Sequence, residues 1–569
     1  MLREMGIGFV PVILAILLTL VSSPLYPASR QPVRAHHGVV VSASPIASDV
    51  GLHVLKDGGN AVDASIAVGF ALAVVYPSAG NIGGGGFMVI HDAHTDKEFS
   101  FDFRERAPAA AYRDMYLDRD GEVIPRLSRV GYRASGVPGT VAGYYLAWTR
   151  NGTLPWERLV APSIALAEEG FEVSYSLSQS LKSASDLLSN CSESKRIFLR
   201  SGKFIQEGDL FCQPELARTL RLIAELGPEP FYEGEIANLI FNDMQANGGL
   251  ITKDDLEDYS AILREPIRGS YRDFEIISMG PPSSGGVVLL EMLNMLERFP
   301  LSKLGFNSSE TIHLKAEVMR RAFADRAEFL GDPDFNDLPI QRLVSKEYAR
   351  SWTADLRPDW ATPSDAISAG QPTAQISEQT THFSVVDADG NGVATTTTIN
   401  GSYGSGITIR GAGFLMNNEM DDFSSKPGFP NSYGLIQGQA NSIAAGKRPL
   451  SAMTPTVVKK DGKLFMVVGS PGGPTIINTV LQVILNVVDF GLTIQEAVDA
   501  PRVHHQWKPD VIIAERNAMA RDVSDALRAR GHAIEIRNSI GDAHSILIQP
   551  DGVRLGAPDP RSDSKASGY

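Results

Sequence analysis

The chain has 569 residues, 43% of them hydrophobic and 21% charged, the composition of an ordinary globular protein with ample length for a large core. Its formal net charge is −14 and no Lys/Arg-rich block interrupts it, which argues against a nucleic-acid backbone as partner. It has only two cysteines, Cys191 and Cys212, too few for a structural zinc site.

Taken in order, the chain opens with MLREMGIGFVPVILAILLTLVSSPLYPASR, which carries Arg3 and Glu4 and then no charge until Arg30. The apolar core from Phe9 to Val21 is short for a spanning helix and reads as a secretory signal occupying residues 1–29. An uncleaved anchor is the alternative, because Glu4 offsets Arg3 and the small-residue cleavage positions, Ser23 and Ala28, compete. Residues 38–44 then predict a strand, 47–58 an amphipathic helix and 59–75 a second helix rich in small and branched residues. A glycine-dense turn, 77–86, leads into a strand at 87–91; no Gly-Lys-Ser/Thr follows it, so close backbone packing explains the glycines better than a phosphate cradle. Residues 99–104 predict a strand ending at Arg104. Residues 146–299 read as mostly helical, with PPSSGG (281–286) opening a helix through 295, and the charged segment 311–330 as a long amphipathic helix. Residues 358–377, poor in pattern, read as a flexible tail.

Beyond that tail lies EQTTHFSVVDADGNGVATTTTIN, 378–400, which reads as a hairpin with arms 381–387 and 392–399 about Asp389-Gly390. This folding sets Thr380 opposite residue 398, 399 or 400, with the register left open among loops of different length. A threonine hydroxyl is a weak nucleophile unless a base sits beside it. If Thr380 becomes the first residue of a chain, through a cut at Gln379–Thr380, its own α-amine is that base. Strands follow at 413–417 and 464–469, then helices at 475–488 and 494–499. SPGGP (470–474) has two readings that fit its residues equally: a tight strand-to-helix turn, or a corner whose glycines, Gly472 and Gly473, let backbone N–H groups point at a developing oxyanion beside the helix dipole. The adjacent His504 and His505 point to opposite sides of an extended segment and read as structural; no metal-ligand spacing is present.

Together with GFLMNNEMDDFS, KRPLSAMTPT and GSPGGPTIINTVLQ downstream and NIGGGGFMVI, DFRERAPAAA, GVPGTVAG, NGGLITKDDL, PPSSGG and ADRAEFLGDPDF upstream, this stretch closely resembles the γ-glutamyltranspeptidase family. The likeness covers nearly everything from about Gly38 to the closing DPRS. It implies an α/β (α+β) four-layer αββα sandwich of the N-terminal-nucleophile hydrolase type. It also implies a precursor that cuts itself into a large subunit, 30–379, and a small catalytic subunit, 380–569, which remain together as a heterodimer.

The resemblance also implies roles: Thr380 as nucleophile, Thr398 hydrogen-bonded to its hydroxyl, Gly472 and Gly473 as the oxyanion hole. Arg104 is implied for the α-carboxylate of a γ-glutamyl group, with Ser451 adding a hydroxyl, and Asn400, Glu419 and Asp422 for its α-ammonium. Tyr433, in the lid-like loop 426–438, shields the site. One departure stands out. The family has two serines where this chain reads Ser451-Ala452. A hydrogen bond to a charged group is worth about 1.5–3 kcal/mol, so a raised KM is expected, improved by Ala452→Ser unless another residue fills the role.

The function expected is an exported, periplasmic or extracellular γ-glutamyltransferase/glutathione hydrolase. It takes glutathione or other γ-glutamyl amides as donors and water, amino acids or dipeptides as acceptors, needs no cofactor, and keeps no stable membrane span after signal removal. A glutaryl-type β-lactam acylase or a poly-γ-glutamate-processing enzyme of the same fold is the alternative, with Ala452 as its best support. A catalytically dead secreted binding protein is the second alternative. In an exported protein Cys191 and Cys212 are expected to form one disulfide, worth about 3 kcal/mol by loop closure.

Overall fold

The computed structural model describes residues 29–200, 204–367 and 380–569. The expected signal, and Gln379 on the near side of the expected cut, lie outside them. Among the described residues no helix is long and apolar enough to cross a membrane.

Fourteen strands build two large sheets, numbered here in chain order: β1 (Val33–Ala35), β2 (Val39–Ser42), β3 (Gly85–Asp92), β4 (Lys97–Asp102), β5 (Ile262–Arg264), β6 (Ile267–Tyr271), β7 (Phe274–Ser278), β8 (Thr381–Val386), β9 (Gly392–Thr398), β10 (Thr456–Lys460), β11 (Lys463–Gly469), β12 (His544–Ile548), β13 (Arg554–Ala557) and β14 (Lys565–Gly568). One sheet runs β14-β2-β8-β9-β3-β4-β5 and the other β1-β13-β12-β11-β10-β7-β6, with antiparallel pairing throughout. The sheets face each other, β8 and β9 lying over β11 and β12.

Helices α1 (Pro45–Lys56), α2 (Ala61–Val75) and α3 (Thr140–Asn151) cover the first sheet; α4 (Gly285–Leu296), α5 (Ser309–Phe329) and α6 (Thr475–Val488) lie on the side of the second. This is the four-layer αββα sandwich. Period-two alternation explains the division of the core. Phe383, Val385 and Val393 point into the helical layer with Ile66, Phe70 and Tyr144. Val386 and Ala394 meet Val467 and Ile546 between the sheets. Near the start of β8 that middle layer turns polar: His382 bonds Thr396 Oγ1 at 2.8 Å and Ser384 Oγ at 3.0 Å, and Ser384 donates to the His544 carbonyl.

Four expectations are corrected. Residues 146–299 are mostly helical and end in a helix, but they also hold three strands, β5, β6 and β7, that the helical reading left out. The β6–β7 turn uses Arg272 at φ 52° where a glycine would have signalled it. Residues 413–417 form isolated bridges, Gly83 to Met416 and Thr408 to Leu415, and no strand. Residues 358–367 of the expected flexible tail are docked: Ser364 N donates to Asp510 Oδ2 at 2.8 Å, and the Trp507 indole donates to the carbonyls of Ser364 and Ile367. The remainder of that tail lies outside the described residues. Finally, both cysteines are free thiols. Cys191 caps a helix and faces the Thr408 carbonyl, while Cys212 follows a separate short strand and faces the Glu169 carbonyl, so different local structures hold them apart.

Candidate active site

Thr380 immediately precedes β8 and is buried. Thr381 pairs with Thr397, so Thr380 lies opposite Thr398, the first of the registers left open by the sequence. Asp387 sets that register: its carboxylate accepts from the Asp389 and Asn391 amides, and Gly390 takes φ +89° at the tip. The hydroxyls of Thr380 and Thr398 are 3.4 Å apart, and Thr398 Oγ1 accepts from the Asn400 amide at 2.8 Å.

The glycine run packs against this pair, as expected. A Cβ on Gly84 would sit 2.1 Å from the Thr398 carbonyl oxygen, and one on Gly83 2.2 Å from that of Leu415. Asn81 Nδ2 donates to the Thr398 carbonyl at 3.0 Å and to Thr397 Oγ1 at 3.1 Å, holding the end of β9 in place. Sequence reasoning gave Asn81 no role; the signal was a polar side chain at the mouth of a glycine run.

On the facing sheet β11 ends at Gly469, where an added Cβ would meet the His382 ring at 2.2 Å. His382 therefore keys the nucleophile strand onto the strand that leads to the Gly-Gly corner. Burial, with His544 beside it, pushes its pKa well below the ordinary value and keeps it neutral. The corner follows: Gly472 at φ 132° and Gly473 at φ 53°, both in the left-handed half of the map, ahead of α6. Gly473 lines the same cavity as Thr380, together with Arg104, Asn400, Glu419, Asp422, Tyr433, Ser451 and Ala452.

Every sequence-expected site residue except Gly472 and the undescribed Gln379 lines this one cavity, with Gly472 next to it in the chain. Its volume is about 20 Å³, enough for one water. It is narrow because its charges close on one another. Arg104, fully buried, donates Nη2 to Asp422 at 2.5 Å, Nη1 to Glu419 and Nε to the Pro449 carbonyl at 3.1 Å. Burial raises the pKa values of Glu419 and Asp422 above the usual carboxylate range, while Arg104 pulls both down. Such a set of one cation and two carboxylates matches a zwitterionic α-amino acid, which can insert its own ammonium and carboxylate between them.

Tyr433 closes the top. Its hydroxyl donates to the Asn400 carbonyl at 3.0 Å and contacts Asn400 Oδ1, while Asn400 sits at φ 69° with Nδ2 on the Asn418 carbonyl. Ser451 accepts from the Met453 amide, and its carbonyl accepts from both the amide and the hydroxyl of Ser284. Ser284 thus ties the PPSSGG strap to the pocket. Two further residues escaped sequence reasoning: Glu105, buried 3.6 Å from Arg104, and Arg326, a buried guanidinium at the cavity wall.

The sequence profile of the gamma-glutamyltranspeptidase family matches residues 47–569. The glutathione hydrolase proenzyme of Escherichia coli (strain K12) is 48% identical over 540 residues, covering 95% of this chain and 93% of that protein. Among solved structures, the cephalosporin acylase from Bacillus halodurans superposes with a TM-score of 0.82 at 29% identity, over 96% of this chain and 98% of that one. The Helicobacter pylori gamma-glutamyltranspeptidase structure matches with a TM-score of 0.57 at 47% identity, over 60% of this chain and 97% of that one.

Proposed function

The chain belongs to the gamma-glutamyltranspeptidase family, and from that premise we propose how its own residues do the chemistry. It is a glutathione hydrolase and γ-glutamyltransferase, made as a precursor and processed into two subunits. The cut falls between Gln379 and Thr380, giving a large subunit 30–379 and a small one 380–569. The Thr380 hydroxyl attacks the preceding carbonyl, the peptide C–N bond gives way to an ester, and water hydrolyses the ester to leave a free α-amine.

In turnover that amine takes the proton from Thr380 Oγ1, and Thr398 orients the oxygen from 3.4 Å. The oxygen adds to the γ-carbonyl of the donor, and the oxyanion is stabilised by backbone N–H groups at Gly472–Gly473. The C–N bond breaks, the leaving amine carries away the proton, and a γ-glutamyl ester remains on Thr380. Water or the amino group of an amino acid or dipeptide then takes the glutamyl group. Arg104 and Ser451 hold its α-carboxylate; Asn400, Glu419 and Asp422 hold its ammonium; Tyr433 limits the entry of water. The precursor is exported by the segment 1–29, and the mature enzyme acts in the periplasm or outside the cell.

One observation carries this reading: Thr380, its hydroxyl 3.4 Å from that of Thr398, lines the same cavity as Arg104, Glu419 and Asp422. Turnover of γ-glutamyl anilide, with and without a dipeptide acceptor, tests it. A glutaryl acylase is the second reading, favoured by the hydroxyl that Ala452 lacks. That reading requires glutaryl anilide to outrun γ-glutamyl anilide; the reverse rejects it.

A further inference from the structure

The cavity wall contains a second guanidinium. Arg326 projects from α5, is fully buried, and lines the cavity beside Arg104, Thr380 and Ala452. Its Nε donates to Ser284 Oγ at 2.9 Å, and Ser284 Oγ donates in turn to the Ser451 carbonyl at 2.6 Å, so Arg326 is anchored one residue from Ala452. Among the described residues its Nη1 is buried with no hydrogen-bond acceptor. Buried donors of this kind are rare, and a charged one without an acceptor is costly unless a ligand supplies one. Arg104, by contrast, already bonds Glu419, Asp422 and the Pro449 carbonyl through all three nitrogens.

We propose that Arg326 is a specificity-determining residue of the donor pocket: its Nη1 binds one oxygen of the α-carboxylate of the γ-glutamyl group, in place of the hydroxyl that Ala452 lacks. The proposal rests on the γ-glutamyl reading above and names the group that completes its carboxylate site. Burial lowers the Arg326 pKa to about 10, which leaves the side chain protonated at neutral pH. The pocket then sets two guanidiniums against Glu105, Glu419 and Asp422, and burial raises the pKa of Glu105 to about 7 and that of Glu419 well above its ordinary value, so this group of acids takes up a proton readily. With one of these acids protonated the charges balance, and a zwitterionic donor enters without a net charge penalty.

The test compares three anilides on the mature two-chain protein: γ-glutamyl, glutaryl (no amine) and 4-aminobutyryl (no carboxylate). Arg326→Gln should lower kcat/KM for the first two by about ten- to a hundredfold, the value of one charged hydrogen bond, and move the third by less than about twofold. Ala452→Ser should recover much of that loss in the Arg326→Gln background and improve the otherwise unchanged chain far less. An equal loss on all three donors, or no loss, overturns the proposal in favour of a purely structural counter-ion. If Arg326→Gln fails to mature, Ala452→Ser alone decides: an improvement of about tenfold or more in the otherwise unchanged chain overturns the proposal, and a smaller one supports it. Should the unsubstituted protein ignore γ-glutamyl anilide yet cleave glutaryl anilide, the γ-glutamyl reading fails. The Arg326 contact is then judged on the glutaryl donor, which has the same carboxylate.

Discussion

The Tyr433 hydroxyl donates to the backbone carbonyl of Asn400 at 3.0 Å, so the loop above the cavity is latched to the residue that ends the nucleophile hairpin. Asn400 holds the left-handed conformation that this contact requires, and Gln506 grips the Tyr433 carbonyl from the other side at 3.1 Å.

Tyr433→Phe removes the latch and keeps the ring. The loop then spends more time open, water reaches the acyl-enzyme more often, and the ratio of transfer to hydrolysis falls. Product analysis with a dipeptide acceptor should show severalfold more free glutamate, with self-cleavage intact. An unchanged ratio would mean that the ring alone excludes water.

Thr398→Val keeps the shape of the side chain and deletes the hydroxyl facing Thr380. A neutral hydrogen bond is worth about 1 kcal/mol and more in a buried network, so kcat should fall about tenfold, while Thr398→Ser stays near the native rate. Equal losses in both variants would point to packing as the cause.

Arg104→Lys exchanges a fork that reaches both Glu419 and Asp422 for a single ammonium. One buried carboxylate loses its partner, a defect of about 3–5 kcal/mol when a buried pair is broken outright. A lower melting temperature and a donor KM raised by at least an order of magnitude are expected. A change in KM with no change in melting temperature would show that the acids are not held by Arg104 in the resting enzyme.

The interior of α5 supplies a pH test. Lys315 is buried, donates to Asn307 and Gln482, and burial lowers its pKa to about 7. Unfolded lysine binds its proton up to about pH 10.4. Between pH 7 and that limit the unfolded state therefore holds more protons, and stability rises with pH. From pH 7 to pH 9 the native chain should gain about 2 kcal/mol relative to Lys315→Met, seen as a melting-temperature difference that shifts in favour of the native chain. A constant difference rules out a neutralised lysine.

These residues also show how far the sequence was legible. The hairpin was readable because β-branched residues, a Gly-containing turn and alternating burial all agree, and the Thr380–Thr398 pairing then follows from geometry. The charged helix was read as amphipathic, yet Glu317 and its arginines Arg320, Arg321 and Arg326 are all interior. Glu317 binds Arg320, Arg321 and Thr362 together and so pins the chain that leads towards residue 380. Charged side chains are interior only where partners surround them, and those partners come from residues 355–364 and 510, which no local pattern connects to α5. Arg326 was missed for the same reason. Its acceptor lies on the PPSSGG strap, and its place at the cavity depends on the packing of α5 beneath the second sheet.

The strands β12, β13 and β14 were missed because each is short and flanked by polar turns. They become strands only by pairing with β11, β1 and β2. The disulfide was inferred from compartment alone, and compartment does not bring two sulfur atoms together.

Everything in the proposed chemistry depends on the α-amine of Thr380. Intact-mass spectrometry of purified, active protein, paired with the Thr380→Ala variant, addresses that amine most directly. Two chains are predicted for the native protein, the smaller beginning at Thr380, and one uncut, inactive chain for the variant. A single polypeptide running unbroken through residues 379–380 in active material would contradict the account.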